Sequence, residues 1–319
     1  MGAALPRVRK LLVAHHRALS HYVSREFAST LSLLLSDHGW RLFETGDLPE
    51  DRGQMDAIIH RRYGGWPDAV LFWESYGDLL RFAGPFLQGE SRIYVATDDL
   101  HRVTDDMDLA LRIASGVLAT YAPRLETFVP GLMPSRVHWV PHAAGPDFWL
   151  PFNDTPRRVV FVSGAMHDVY PLRLAMRDLA LRRPELAYLH QHPGYHCDYD
   201  YTEDDRIGRG YAEAMRGCVA GFTDALTYHY LVAKHFEIPA TGALLIADRA
   251  VAGQLARLGY VDGQHYVSTS AEELESTVQW VVDARNAAEI DAIRRRGQAL
   301  TDGRHTTAHR ARQIDGICG

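Results

Sequence analysis

Lys234 and Glu237 stand three apart in the stretch Tyr228-His229-Tyr230-Leu231-Val232-Ala233-Lys234-His235-Phe236-Glu237-Ile238-Pro239-Ala240-Thr241-Gly242. That spacing puts both on one helical face. On a surface they would be an ordinary ion pair. At a binding site an ionised glutamate accepts hydrogen bonds from two sugar hydroxyls, while the lysine neutralises phosphate. Pro239 and Gly242 then carry the chain into the apolar run Ala243–Ala247. A second polar strand end is Ser163-Gly164, after Arg158–Val162, where a loop with a basic residue and backbone N–H groups suits an anion. A third is Asp98-Asp99-Leu100-His101, after Arg92–Ala96. There Asp98 suits a sugar contact, His101 stands in reserve, and Asp99 suits a helix N-cap or orients a neighbour. His15-His16-Arg17 closes the first apolar run, and His16 has the right chemistry for a general base, against the plainer reading of a solvated loop histidine. The cluster His190-Gln191-His192-Pro193-Gly194-Tyr195-His196-Cys197-Asp198 is rich in metal-ligand types, but its spacing fits no common zinc pattern. No metal site is assigned, and Asp198-Tyr199-Asp200 matches a metal-binding Asp-x-Asp by its letters alone.

Elements that deliver such side chains alternate along the chain. Val8–Ala14, Trp40–Phe43, Ala69–Phe72, Arg92–Ala96, Gly116–Thr120 and Val137–Val140 read as buried strands, with Val23–Asp37 a helix between the first two. The pattern restarts with Arg158–Val162, the helix Tyr170–Arg182, and the strands Ala187–Leu189, Val219–Thr223 and Ala243–Ala247. Strand, helix, strand repeated in this way predicts α/β architecture with parallel sheets covered on both faces. Between the halves, three prolines and a glycine within Pro141–Pro151 interrupt helix and strand alike. The expected organisation is a first Rossmann-like domain over 1–141, a linker over 142–151 and a second Rossmann-like domain over 152–319. The two would face each other across a cleft, with ligands at the carboxyl ends of the strands.

The segment Lys234–Leu245 resembles the donor-binding segment of GT-B glycosyltransferases, group 1 or family 4, and most of all the CgeB-like spore-maturation group. Four other pieces follow the order of that family. Val160–Gly164 through Tyr170-Pro171-Leu172-Arg173 resembles the opening strand and loop of its donor domain, and Val140–Phe148 its linker, with His142 where asparagine is usual. Ser270–Leu274 resembles the helix start after the last donor-domain strand, and Ile293–Gly297 with His305–Arg310 the closing helices. The resemblance implies a transferase that moves a sugar from a nucleotide diphosphate donor to a hydroxyl acceptor, without a cofactor or metal. It implies donor binding by Glu237, Lys234, Ser163, Gly164, Arg173, Tyr230, Pro239 and Gly242, with Glu237 on the ribose. Asp98 and His101 occupy the region whose family counterpart touches the donor sugar. Family members carry two glutamates eight positions apart; Glu237 matches the second and His229 replaces the first, so a retaining outcome is implied less directly.

The chain has 319 residues, 46% hydrophobic and 23% charged, with a net charge of −6. That balance disfavours a general electrostatic grip on nucleic acid or an anionic membrane, and so weighs against a DNA-directed variant of the same activity. No run of about 18 apolar residues exists to cross a bilayer. The three cysteines are odd in number and scattered, which fits a reducing cytoplasm. Two other functions share the architecture: a nucleotide-sugar epimerase, and a non-catalytic nucleotide-sugar-binding protein. Donor base, sugar, acceptor and oligomeric state are not written in the residues.

Overall fold

Runs such as Ala69–Trp73 and Cys218–Thr223 are buried at every position, as central strands covered by helices on both faces must be. In the computed structural model, which describes residues 7–15, 18, 25–194 and 204–319, these runs build two parallel sheets. The first contains β1 (Lys10–Ala14), β2 (Trp40–Glu44), β3 (Ala69–Trp73), β4 (Arg92–Thr97), β5 (Gly116–Ala119) and β6 (Val137–Trp139), in the order β2-β1-β3-β4-β5-β6. The second contains β7 (Arg157–Val162), β8 (Ala187–Leu189), β9 (Cys218–Thr223), β10 (Leu244–Asp248) and β11 (Val267–Thr269), in the order β11-β10-β9-β7-β8. Both are doubly wound. Their switch points fall between β1 and β3 and between β7 and β9, where the chain's connections leave to opposite sides and ligands commonly bind.

The intervening helices are α1 (Glu26–Asp37), α2 (Met55–Tyr63), α3 (Tyr76–Gln88), α4 (Asp105–Ile113), α5 (Leu125–Phe128) and α6 (Pro171–Arg182). They continue with α7 (Gly208–Arg216), α8 (Lys234–Ala240), α9 (Ala252–Arg257), α10 (Leu274–Val282), α11 (Ala287–Arg304) and α12 (Thr307–Cys318). The strands expected from the sequence all form, within a residue or two at their ends. β11 is three residues long, Val-Ser-Thr, too short and too polar to stand out as an apolar run.

Compact grouping of the chain differs from the sequence boundaries at the C-terminus. One unit gathers β1 together with Phe27–Pro141 and Ala308–Gly319; the other gathers Arg25, Glu26 and His142–Thr307. The expected domain over 152–319 therefore lacks most of α12. Ala311, Ile314 and Cys318 instead share a core with Leu12, Trp40 and Leu71, and Asp315 accepts hydrogen bonds from Lys10 Nζ (2.5 Å) and Trp40 Nε1 (2.9 Å). The expected linker is also built into the second unit. Ala144 N–H donates to the His305 carbonyl (2.9 Å), Thr307 N–H to the Ala144 carbonyl (3.2 Å), and the Arg25 guanidinium grips Asp147 with two bonds. Beside it, the buried Glu26 carboxylate meets His142 Nδ1 at 2.7 Å and accepts the Ala143 N–H at 2.6 Å. Its prolines stop regular structure, as the sequence implies, but ion pairs and backbone bonds hold it in place.

Candidate functional site: a two-cation cradle at the second switch point

At the end of β7 the chain turns through Ser163 and Gly164. Gly164 has φ of +127°, a conformation side-chain-bearing residues rarely adopt. It also has no room for a side chain: a Cβ there would lie 2.6 Å from Arg173 Nη1 and 2.7 Å from Lys234 Nζ. Two cations from two different helices thus converge on one glycine.

Arg173, in the first turn of α6, is buried and paired with Asp224, the residue that follows β9. Its Nη2 donates to Asp224 Oδ1 at 2.8 Å and its backbone N–H to Oδ2 at 3.2 Å. Nη1 donates to the Ala165 carbonyl (3.1 Å), and the guanidinium lies over the Tyr170 ring, 3.9 Å from its centroid. Such a buried pair is worth little as net stability but fixes a fork of N–H donors in space. Burial pushes the Asp224 carboxyl up, against the pull of Arg173.

Lys234 opens α8, with Glu237 one turn further on and 3% exposed. The lysine's pKa is driven down to about 7, by burial first and by the Arg173 charge second, with Glu237 and Asp224 opposing. A cation held this far below its ordinary range gains from an added negative charge. The β7–β9 register (Val162↔Phe222) continued by one residue sets Ser163 beside Thr223. Both side chains are buried, and Ser163 Oγ, Thr223 Oγ1 and Arg173 Nε make no hydrogen bond among the described residues. The arrangement is a desolvated anion site with donors in excess.

Of the donor-binding residues expected from the sequence, Ser163, Gly164, Arg173, Lys234 and Glu237 are thus brought together. Pro239 lies within α8, and Gly242 (φ +79°) turns the chain into β10; its carbonyl accepts Arg294 Nε at 2.9 Å and a Cβ would lie 3.1 Å from Phe152. These two shape the helix-to-strand turn that aims Glu237. Tyr230 is buried in the β9–α8 connection, its N–H bonded to the Ala225 carbonyl at 2.7 Å and its ring 5.5 Å from that of Tyr228. His229, where the first family glutamate would stand, is exposed, with φ of +56° and its carbonyl accepting Gln254 Nε2.

Asp98 and His101 belong to the other unit, so they do not share this cradle by any contact within one unit. Asp98 is half-buried after β4. Its charge, after burial and Glu74, helps hold the Tyr76 hydroxyl above its usual range, and that hydroxyl donates to Thr97 Oγ1 at 2.9 Å. Burial lowers the His101 pKa, with Asp99 opposing. The expected cap is corrected. Asp99 stands at the N-cap position of the short turn Leu100–Arg102, but its side chain makes no capping hydrogen bond and instead pairs with Arg102 at 3.5 Å. Thr104 caps the true helix, accepting the Met107 N–H at 3.2 Å. His16, Asp198 and Asp200 lie outside the described residues.

Asp224 is the site residue the sequence reading missed. The signal was present, since it follows a predicted strand directly, but only the Arg173 contact gives it meaning. Among the described residues no group of three or more His, Cys, Asp or Glu could hold a metal ion, and no helix is long and apolar enough to cross a membrane.

A family model described as glycosyl transferase-like matches residues 198–316, which contain Asp224, Lys234 and Glu237. No curated protein is significantly similar in sequence. Solved structures are similar over nearly the whole chain. HepE of Anabaena in complex with UDP-glucose is 14% identical, covering 96% of this chain and 98% of its own, with a TM-score of 0.63. Sucrose-phosphate synthase of Thermosynechococcus elongatus is 11% identical, with coverage of 97% and 98% and a TM-score of 0.60. An alpha-glucosyltransferase in complex with UDP and a 13-mer DNA containing an HMU base is 11% identical, with coverage of 97% and 99% and a TM-score of 0.63. The chain therefore has the two-domain α/β fold of GT-B glycosyltransferases. The closer likeness to the CgeB-like group finds no support in these matches.

Proposed function

We propose that the protein is a glycosyltransferase that uses a nucleoside diphosphate sugar as donor, binding it through the second unit. The observation that carries this reading is the convergence of Arg173 Nη1 and Lys234 Nζ on Gly164 at the β7–β9 switch point. In glycosyl transfer to a hydroxyl, the bond from the anomeric carbon to the diphosphate breaks, and negative charge grows on the leaving phosphate. Two preorganised cations in a desolvated site stabilise that charge in the transition state, without a metal ion. The family match over 198–316 and the UDP-containing neighbours support the same donor class.

In this reading Glu237, buried one turn from Lys234, accepts the ribose hydroxyls. Asp98 faces the donor sugar with His101 as its reserve, and His16 is the base that removes the acceptor proton. The reaction is placed in the cytoplasm.

Thermal unfolding with UDP, GDP, ADP and dTDP tests the donor class, because a ligand that binds only the folded state raises Tm. One diphosphate should raise Tm in the wild type, and Lys234→Ala should lose the effect. No rise with any of the four would overturn the reading. With the matching nucleotide sugar, slow hydrolysis or transfer supports the transferase, whereas conversion of the donor to its epimer without an acceptor identifies an epimerase instead. The configuration of the product's anomeric carbon, read by NMR, decides between retention and inversion.

A further inference from the structure

Arg173 is held from two directions. Along its edge, Nη2 donates to Asp224 Oδ1 and Nη1 to the Ala165 carbonyl, while the backbone N–H donates to Asp224 Oδ2. Hydrogen bonds from a guanidinium run along its plane, so they fix its place but restrain its tilt weakly. From the other direction comes the Tyr170 ring, its centroid 3.9 Å from the guanidinium carbon. A ring face steadies the tilt without consuming an N–H donor and without cancelling the positive charge, as a second carboxylate would.

The ring is itself built in. Tyr170 stands three residues before Arg173 at the start of α6, a spacing that sets two side chains on one face. Its N–H donates to the His167 carbonyl and its carbonyl accepts the Leu174 N–H, both at 3.0 Å, while Pro171 sets the first turn. The His167 ring meets it edge-on, 4.8 Å between centroids. One residue earlier, the Val169 carbonyl accepts the Thr227 N–H at 2.9 Å. That bond ties the loop to the connection leading from β9 to α8 and Lys234.

We propose that Tyr170 is a positioning residue for the donor. Its ring face holds the Arg173 guanidinium at the tilt that brings Nη1 to Gly164, where a Cβ would lie only 2.6 Å away, and so presents a fixed, unneutralised cation to the diphosphate. This rests on the donor-site reading above and adds to it a residue that acts through Arg173 rather than on the ligand.

Calorimetric titration of wild type, Tyr170→Phe and Tyr170→Leu with UDP, GDP, ADP and dTDP tests this, with thermal unfolding confirming that each variant is folded. Tyr170→Leu keeps an apolar side chain but removes the ring face, and should weaken the bound diphosphate about fivefold or more. Tyr170→Phe keeps the face and should stay within about twofold of wild type. Tyr170→Met takes the place of the leucine variant if that one does not fold. In an Arg173→Lys background the cation keeps its charge but has no plane to hold, so Tyr170→Leu should there cost less than about twofold. Wild-type affinity in folded Tyr170→Leu would overturn the proposal and make the ring structural. An equal loss in Tyr170→Phe, or in the Arg173→Lys background, would overturn it as well, because the hydroxyl or the ring would then act on the ligand directly. Failure of the wild type to bind any of the four nucleotides would instead remove the donor-site reading, and the proposal with it.

Discussion

At the scale of single residues, charge and burial decide what the site can do. Glu237 is 3% exposed, in a place where an unmade hydrogen bond is costly. Glu237→Ala should weaken nucleoside diphosphate binding by a factor of about ten to a hundred, corresponding to about 1.5–3 kcal/mol, as measured by calorimetry on a folded variant. Unchanged affinity would remove Glu237 from the ribose. Asp98→Asn should lower turnover with the natural acceptor and leave nucleoside diphosphate affinity nearly intact, because Asp98 belongs to the other unit; turnover at the wild-type rate would make that strand end structural. Lys234 sets a pH dependence. Its pKa of about 7 in the empty protein lies below the ordinary lysine value of 10.5, so a charged Lys234 opposes folding at low pH, and this cost is relieved as pH rises from 7 towards 10. A bound phosphate favours the protonated form and raises that pKa again. Binding should therefore take up a proton above about pH 7, and affinity should fall as pH rises from 7 towards 10, a slope that Lys234→Arg should flatten. A flat profile in the wild type would contradict the placement of Lys234 on the phosphate.

At the scale of elements, the cradle depends on how closely α8 lies on β9. Gly221 sits in the middle of β9, and a Cβ there would come within 2.9 Å of Ile238 Cγ1 and 3.0 Å of Cγ2, on α8. The glycine permits the close approach that sets Lys234 and Glu237 at their height above the strand ends. Gly221→Ala should cost about 1–3 kcal/mol in urea unfolding, the usual penalty for overfilling a packed interior. It should also weaken nucleotide binding, although Gly221 touches no ligand in this scheme. Loss of stability with unaltered binding would show that α8 absorbs the methyl without moving its charges. The other end of α8 is held by Pro239 and by Thr241, whose Oγ1 donates to the Ile238 carbonyl at 2.8 Å, so the seven-residue helix has a defined stop.

At the scale of the whole chain, the last helix returns to the first sheet. Asp315 on α12 is bonded to Lys10 on β1 and to the indole of Trp40 on β2, tying residues far apart in sequence. Asp315→Ala leaves the indole N–H of a fully buried Trp40 without its acceptor, and should lower stability by about 1–3 kcal/mol. Nucleotide affinity should not change, since the cradle lies entirely within the other unit. Parallel loss of both would show that the two units unfold as one cooperative block; an unchanged Tm would mean that the bonds to Asp315 carry no weight.

The residues by themselves determined the strands, because full burial on both faces requires continuous apolar runs such as Ala69–Phe72 and Val219–Thr223, and such runs are legible locally. They also determined that α8 carries Lys234 and Glu237 on one face, since helical spacing is a property of the chain alone. Pro239 and Gly242 announced the turn after it for the same reason, as each limits or frees backbone angles whatever surrounds it. The partner of Arg173 was decided by tertiary structure: Asp224 is fifty-one residues away and meets it because β7 and β9 are neighbours in the sheet. The capping role expected of Asp99 failed in the same way, because the helix began at Asp105, where Thr104 was the residue placed to cap it. Membership of α12 in the first unit was likewise invisible, since Asp315 acquires its meaning from Lys10 and Trp40. Patterns set by the backbone's own geometry are written in order along the chain. Pairings between charges depend on which strand ends the fold brings side by side, and that is settled only when the sheets close up.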